Sequence, residues 1–440
     1  MYYTNYSVVF VYHVLVLVHH TCDVIYLFLI LPQITMESTN NLLKNINRCL
    51  IPKLLKNYDE CSEHQEFSLR NQNLAFNFKM LIECLYDINC TDFEQNPVII
   101  ALLVNLFLEL SCDGPWNNDV TKDISKQLNA HFEKITSVRL DSVFMINNIF
   151  DHQEVFNKFS EELHLKLTYE NFKKYPAQIE VYYLFIQHLK GYNVAVVPSK
   201  IFPITILLVE DFANFNKNKG LKCCTQLLQC LDSNVFQSGN YYEVIYRTLK
   251  RNLSDKDDNI TNLTHSNLLM LLDILPNTGK RQKLDELYKS CLDQLSIESN
   301  LYHKVALMNF TCTLIEHHKS NCGNRSIFKD IVCQNLDMCT NNAVIDVILE
   351  PLLKCLKKWI IYCWPVWKYN TDHKLLSALL KVLYTCNEDL FKEIYNIIVT
   401  LICLCTKDEQ TQILNSLNKV QEIQCDVFKE KIRKIISNFT

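Results

Sequence analysis

The chain has 440 residues, 48% hydrophobic and 21% charged, so it is too long for one compact core and too apolar to stay disordered. With 44 basic residues against 48 acidic ones its formal charge is −4, which excludes a strong basic field and with it nucleic-acid binding as the main task. Six glycines (Gly114, Gly191, Gly220, Gly239, Gly279, Gly323) and ten prolines leave no GxGxxG or GxxxxGK(S/T) loop to cradle a nucleotide and few two-residue β-hairpins; long helices joined by short polar turns are expected.

Residues 1–34 read as a different substance. They hold one acid, Asp23, and no Lys or Arg, the first basic side chain being Lys44; His13, His19 and His20 interrupt the apolar run. A signal peptide carries a positive n-region, and a membrane span is oriented by flanking Lys and Arg; neither is present. Met36-Glu37-Ser38-Thr39 then opens an ordinary pattern. Met36 is therefore expected to be the working start, with residues 1–35 a hydrophobic N-terminal extension outside the working protein. The rival expectation is a membrane anchor or signal, for which the length suffices.

From Asn41 onward Leu42, Leu43, Ile46, Leu50, Leu54 and Leu55 predict a first helix, broken near Pro52. Residues 74–85 and 98–110 predict two more, the second apolar almost all round and hence buried. Residues 112–118 are a turn, 128–147 a weaker helix, and 150–175 a charged stretch after which the rhythm changes. The expected divisions are thus an N-terminal helical region at 36–170 and a helical-repeat domain at 171–440. Beyond Tyr175-Pro176, helices are predicted at 177–190, 203–213, 219–231, 240–252, 265–275, 280–296, 301–318, 326–339, 342–363, 373–386, 388–405, 408–419 and 424–437. Residues 194–198 could form only a short, lone strand. Two helices per roughly 40 residues is the period of HEAT and armadillo arrays, in which each unit buries its apolar stripe against its neighbours. The expected fold is all-α, a HEAT/armadillo-like α-solenoid of antiparallel helix pairs.

One hairpin carries a more specific order. Pro203 lies in a first helix, Asp211 at its end, and Lys217 and Gly220 open the next. The proline bends the first helix, the aspartate can cap orphan N–H groups, a basic residue can pair with the acid of an adjacent unit, and the glycine lets the two helices approach.

No HExxH, CxxC, GxSxG or HRD…DFG set is present, and no catalytic chemistry, metal or cofactor is expected. Cys312, His317, His318 and Cys322 form the densest ligand-like cluster, but a core cysteine plus histidines favoured by a helix C-terminus is the simpler account. Acid pairs such as Glu161-Glu162, Glu210-Asp211 and Asp257-Asp258 diverge at adjacent positions. Twenty cysteines scattered through apolar runs read as small hydrophobes of a reduced protein; eight Asn-x-Ser/Thr sequons, among them Asn259, Asn262 and Asn309, are expected from abundant asparagine alone. The most distinctive local feature is Trp359-x4-Trp364-Pro365-x-Trp367, with Pro365 ending a long helix. Its tryptophans are either core packing between hairpins or a partner-binding anchor.

Tyr175-Pro176-x6-Tyr183, Leu207-Leu208-x2-Asp211, Lys217-x2-Gly220-x2-Cys223, Tyr241-x4-Tyr246-x2-Leu249, the run from Leu268 to Pro276 and Leu353-x2-Leu356-x7-Trp364-Pro365 together resemble, in order and spacing, the Tel-two-interacting protein two family, the third subunit of the Triple-T co-chaperone complex. The likeness covers roughly residues 170–440. Phe212 stands where a second acid is expected, and no arginine follows Pro365; these departures bear on the contact roles of those positions and not on the fold. The resemblance implies a non-catalytic scaffold that assembles with two larger helical-repeat subunits. It also implies work with the heat-shock protein 90 machinery to assemble and stabilise phosphatidylinositol-3-kinase-related kinases, in the cytoplasm and also the nucleus. No cofactor, small-molecule substrate, nucleic acid or membrane is implied, and Pro203, Asp211, Lys217, Gly220, Trp359, Trp364, Pro365 and Trp367 are the structural or partner-facing candidates. The residues alone leave open another HEAT-repeat adaptor, such as a transport receptor, and a membrane-anchored glycoprotein.

Overall fold

The computed structural model describes residues 38–88, 90–145, 150–368, 373–386, 388–420 and 425–439, so the expectations for residues 1–35 and for Met36 lie outside the described residues. Among the described residues there are helices and no β-strand, and residues 194–197 merely lead into a helix that opens on Pro198.

Packing separates two units, one ending at Leu231 and one beginning at Asp232. The first contains α1 (38–49), α2 (Gln65–Tyr86), α3 (Cys90–Gln95), α4 (Pro97–Ser111), α5 (Asp119–Thr136), α6 (His152–Lys166), α7 (Pro176–Gln187), α8 (Pro198–Val209) and α9 (Asn214–Cys230). The second contains α10 (Ser233–Ser238), α11 (Tyr241–Arg251), α12 (Asp258–Ile274), α13 (Asn277–Ile297), α14 (Leu301–His318), α15 (Ile327–Met338), α16 (Asn342–Cys363), α17 (Lys374–Thr385), α18 (Glu388–Cys403), α19 (Lys407–Val420) and α20 (Asp426–Ile436). The division expected at 170–171 falls inside the first unit, where α4 packs on both α6 and α7, and α6 on α8. A change of sequence rhythm there is not a break in the core.

Caps explain where helices begin earlier than apolar periodicity predicts. α5 starts at Asp119 rather than 128 because Asn118 and Thr121 form a capping box, the Asn118 side chain accepting Thr121 N at 3.1 Å and Thr121 Oγ1 accepting Asn118 N at 2.9 Å. The charged stretch after residue 150 folds into α6, where Asp151 accepts Glu154 N at 3.0 Å. Asp257 accepts from Asn259 N and Ile260 N, so α12 begins at Asp258 rather than 265. α14 and α16 keep the predicted bounds, each behind an Asn cap at Asn300 and Asn341.

The fold is all-α, a HEAT-like α-solenoid of antiparallel helix pairs, and its period is written in its polar contacts. In the first unit Lys200 pairs with Glu161 at 2.8 Å and Lys219 with Glu180, each 39 residues apart. In the second unit Lys250 reaches Glu286 (36 residues), Arg325 reaches Asp285 (40), Lys368 reaches Glu409 (41) and Lys381 reaches Asp337 (44). A separation near 40 brings equivalent positions of consecutive hairpins side by side, so these pairs are rungs between repeats. The stripe beneath them is apolar: in the first unit Phe144, Phe156, Phe159 and Phe185 are all buried, with Phe159 and Phe185 centroids 4.7 Å apart. The sequon hydroxyls of Thr261, Thr264 and Thr311 are fully buried on helix faces turned to the core.

Candidate interaction surfaces

In the first unit the α8–α9 hairpin holds four of the sequence candidates. Pro203 sits inside α8 on its exposed face; lacking an N–H, it leaves the Ser199 carbonyl without its helical donor. Gly220 is buried where α9 crosses α8. A Cβ added there would stand 2.5 Å from Val209 N and 2.8 Å from Leu208 C, inside backbone that cannot move aside cheaply. Asp211 is 5% exposed and accepts Asn216 Nδ2 at 2.7 Å. Lys173 Nζ reaches it at 3.3 Å from one repeat upstream. This is a pairing of a base with the acid of an adjacent unit, as the hairpin's residue order suggests, with Lys173 as the base; Lys217 lies half-buried on α9.

Beside this hairpin, interhelix turns converge on a cleft of about 280 Å³ walled by Tyr58, Trp116 and Phe215, with Lys173, Glu180 and Lys219 at its polar side. Tyr58 meets Trp116 and Phe215 edge-on at 6.1 Å, and Lys219 Nζ stands 5.5 Å over the Phe215 ring. Phe212, where the resembled family has an acid, is 95% exposed.

Behind the cleft lies a network that no motif announced. Arg70 and Glu109 are buried 3.7 Å apart. Glu109 Oε1 accepts Ile51 N and its Oε2 accepts Gln178 Nε2, both at 2.7 Å. Gln178 Oε1 in turn accepts Asn105 Nδ2 at 2.9 Å, and Arg70 Nε donates to the Cys49 carbonyl at 3.1 Å. Burial pushes the Glu109 carboxyl up from its ordinary range while Arg70 and these donors hold it down. The Arg70 guanidinium is shifted down by burial, against the pull of Glu109. The network ties the loop after α1 to α2, α4 and α7, and a lone Glu inside the apolar run of α4 was its trace in the sequence.

In the second unit the tryptophan cluster divides. α16 ends at Cys363 and residues 364–366 turn away as a short 3-10 segment around Pro365. Trp359 is buried, its ring 5.3 Å from Phe328, and Trp367 is 2% exposed, whereas Trp364 is 50% exposed beside exposed Pro365. The two readings of the cluster thus apply to different residues: Trp359 and Trp367 are core, and Trp364 is available to a partner.

Among the described residues no three His, Cys, Asp or Glu side chains are arranged to hold a metal ion. Cys312, His318 and Cys322 are separately buried, and His318 faces Asp285 at 3.6 Å. Burial pushes the Cys49, Cys112 and Cys224 thiols up to about 12, so they stay protonated and poorly nucleophilic. No described helix is long and apolar enough to cross a membrane.

No family model matches the chain, and no curated protein matches it. Among solved structures it is similar to Kap95p, whose binding induces the switch loops of RanGDP to adopt the GTP-bound conformation, with 12% identity and a TM-score of 0.45 over 87% of this chain and 46% of that one. It is similar to Kap121p at 13% identity and a TM-score of 0.40, covering 83% and 38% of the two chains. An engineered protein is similar over 91% and 95%, at 10% identity and a TM-score of 0.39. The chain spans less than half of Kap95p. With every TM-score below 0.5, these likenesses carry no argument about function.

Proposed function

We propose that this protein is a non-catalytic scaffold subunit of a Triple-T-like co-chaperone complex, which works with the heat-shock protein 90 machinery to assemble and stabilise phosphatidylinositol-3-kinase-related kinases. The observation that carries this reading is the pairing of a repeat array with large aromatic side chains left in solvent. Trp364 is 50% exposed within a segment whose residues resemble that family, and Phe212 is 95% exposed at a position that departs from it. Such residues are costly to leave wet and are enriched at the anchors of protein interfaces. The close α8–α9 packing at Gly220 and the buried Asp211 give the Phe212 segment a rigid frame within the first unit. Two larger helical-repeat subunits are the direct partners, the kinases and chaperones are engaged through them, and the complex acts in the cytoplasm and nucleus.

The test is affinity purification of the tagged full chain from its own cells under gentle conditions, with partner identification. Two large helical-repeat proteins are expected in stoichiometric yield. Recovery of the chain alone overturns the reading, and recovery of a small GTPase with basic cargo replaces it with a transport-receptor role.

A further inference from the structure

A polar cleft of about 580 Å³ opens in the second unit, walled by the N-terminal half of α13 and by the chain that leaves the end of α14 for α15. Clefts that hold ligands span about 300–1,000 Å³. Two contacts between successive repeats set its walls. Arg281 Nη2 donates to Asn321 Oδ1 at 2.7 Å, and Arg325 donates through Nε and Nη2 to the two oxygens of Asp285, each pair 40 residues apart.

The lining is rich in donors and poor in acceptors. Asp285 is the only acid among the described residues that line it, and Arg325 already engages both of its oxygens. Arg281 is exposed and has no carboxylate partner among the described residues. His318 is 3% exposed, and its Nε2 has no hydrogen-bond partner; Asp285 Oδ1 stands 3.6 Å away, outside hydrogen-bond reach. Asn324 adds an exposed amide at the rim. Burial pushes the His318 pKa below its ordinary value, Asp285 draws it up, and the Arg281 and Arg325 charges push it down again.

Two guanidiniums and a buried imidazole around one carboxylate leave a surplus of positive charge and of N–H groups. A buried polar atom without a partner is costly, so the component that completes this set is an anion with several oxygens. A phosphate monoester brings three acceptor oxygens and nearly two charges, and the guanidinium fork matches it bidentately. A carboxylate has two oxygens and would leave one of the three groups unmatched.

We propose that this cleft binds a phosphorylated serine or threonine side chain of a partner protein, its phosphate oxygens taken by Arg281, Arg325 and His318. The phosphate chemistry stands on the cleft itself; that a protein carries the phosphate rests on the scaffold reading above. Arginine clusters are a recurring means of reading such side chains, and the cleft has room for the residues that flank the phosphate.

The test uses the full chain and a fluorescein-labelled alanine peptide with one central phosphoserine, read by fluorescence anisotropy. Saturable binding is expected below about 1 mM, the weak end of specific recognition, and inorganic phosphate should compete about tenfold less well than unlabelled peptide. Arg281→Glu should weaken binding about tenfold or more, as loss of a charged partner does. Lys289→Glu makes the same change of charge at an exposed position of α13 outside the cleft. It lies about 12 Å along the helix, beyond the Debye length of about 8 Å at physiological salt, so its effect should stay under about twofold. A circular dichroism melt checks that Arg281→Glu keeps its melting temperature; should it not, Arg281→Gln should still bind more weakly than wild type.

No saturable binding, equal binding of the unphosphorylated serine peptide, or equal losses in Arg281→Glu and Lys289→Glu overturns the proposal. So does equal binding of a peptide with glutamate in place of phosphoserine, which would make the ligand a carboxylate. Inorganic phosphate that competes as well as the peptide overturns it too, by making the free ion the occupant. If the two large subunits co-purify with the chain but the phosphopeptide does not bind, the cleft is lost and the scaffold reading stands. If the phosphopeptide binds with the expected ranking of variants and no subunits co-purify, the scaffold reading falls and the phosphate site stands.

Discussion

The two units solve the problem of polar groups differently. In the first, Arg70 and Glu109 are taken out of water altogether and each is held by several hydrogen bonds. In the second, rungs such as Lys250–Glu286 and Lys368–Glu409 stay about one-third exposed. The difference follows from regularity. Helices of the second unit recur at one period, so an apolar stripe fixes their register and surface pairs add little. In the first unit α1, α2, α4 and α7 meet through irregular loops, where apolar contact alone permits several arrangements. A buried network with one satisfied geometry selects among them, at the risk that losing any member strands a charge in the core.

That comparison can be broken in order of expected effect. Arg70→Met leaves Glu109 buried without its cation and should cost about 3–5 kcal/mol, read as a lowered urea midpoint; the double variant Arg70→Met/Glu109→Leu should recover most of it. A single variant as stable as wild type would end the idea that the network selects the fold of the first unit. In the second unit, Trp367→Ala should cost ~3–5 kcal/mol as a core truncation, while Trp364→Ala should stay within about 0.5 kcal/mol as a surface change. Equal losses in calorimetry would mean that the cluster does not divide into core and surface.

The second unit also has a buried titratable contact. His265 lies face to face with Phe310, centroids 4.1 Å apart, and burial, with His303 nearby, holds its pKa down at about 4 instead of 6.5. The unfolded chain takes up this proton near pH 6.5 and the folded chain only near pH 4. Stability is therefore full above pH 6.5 and is lost as pH falls toward 4, by roughly 3 kcal/mol in all. His265→Phe should flatten that part of the pH–stability curve, and an unchanged slope would rule the site out as its source.

Gly220→Leu should destabilise the first unit by about 1–3 kcal/mol through overpacking against Leu208 and Val209, seen as a lower melting temperature with the helical spectrum retained. The smallest effect belongs to a rung: Lys250→Ala should cost roughly 0.2–1 kcal/mol, vanishing at high salt. A larger, salt-insensitive loss would show that the rungs, and not the stripe, hold the repeats in register.

Much of the fold was legible because helix faces and helix stops are local. The apolar run of α4, the bounds of α14 and α16, and the stop before Pro365 are each set by a few neighbouring residues. Starts governed by caps were misjudged at α5 and α12, since a single Asn or Asp side chain decides them while periodicity sees only the apolar turns that follow. The candidate surfaces were half legible. Gly220 and Asp211 fall at a tight hairpin, but that Lys173 answers Asp211 depends on which residues lie one repeat apart in space.

What the amino-acid sequence determined by itself is the class of the molecule: helical, repeated about every 40 residues, and without a phosphate loop or catalytic motif, because glycine content, apolar period and turn residues act over a few residues at a time. Only the tertiary structure decided which tryptophans are core and which face solvent, how Arg70 and Glu109 find each other from positions 39 apart in the chain, and that Ile361 borders a groove with α18. Burial is a property of what packs against a residue, and for these residues the packing partner comes from a distant part of the chain.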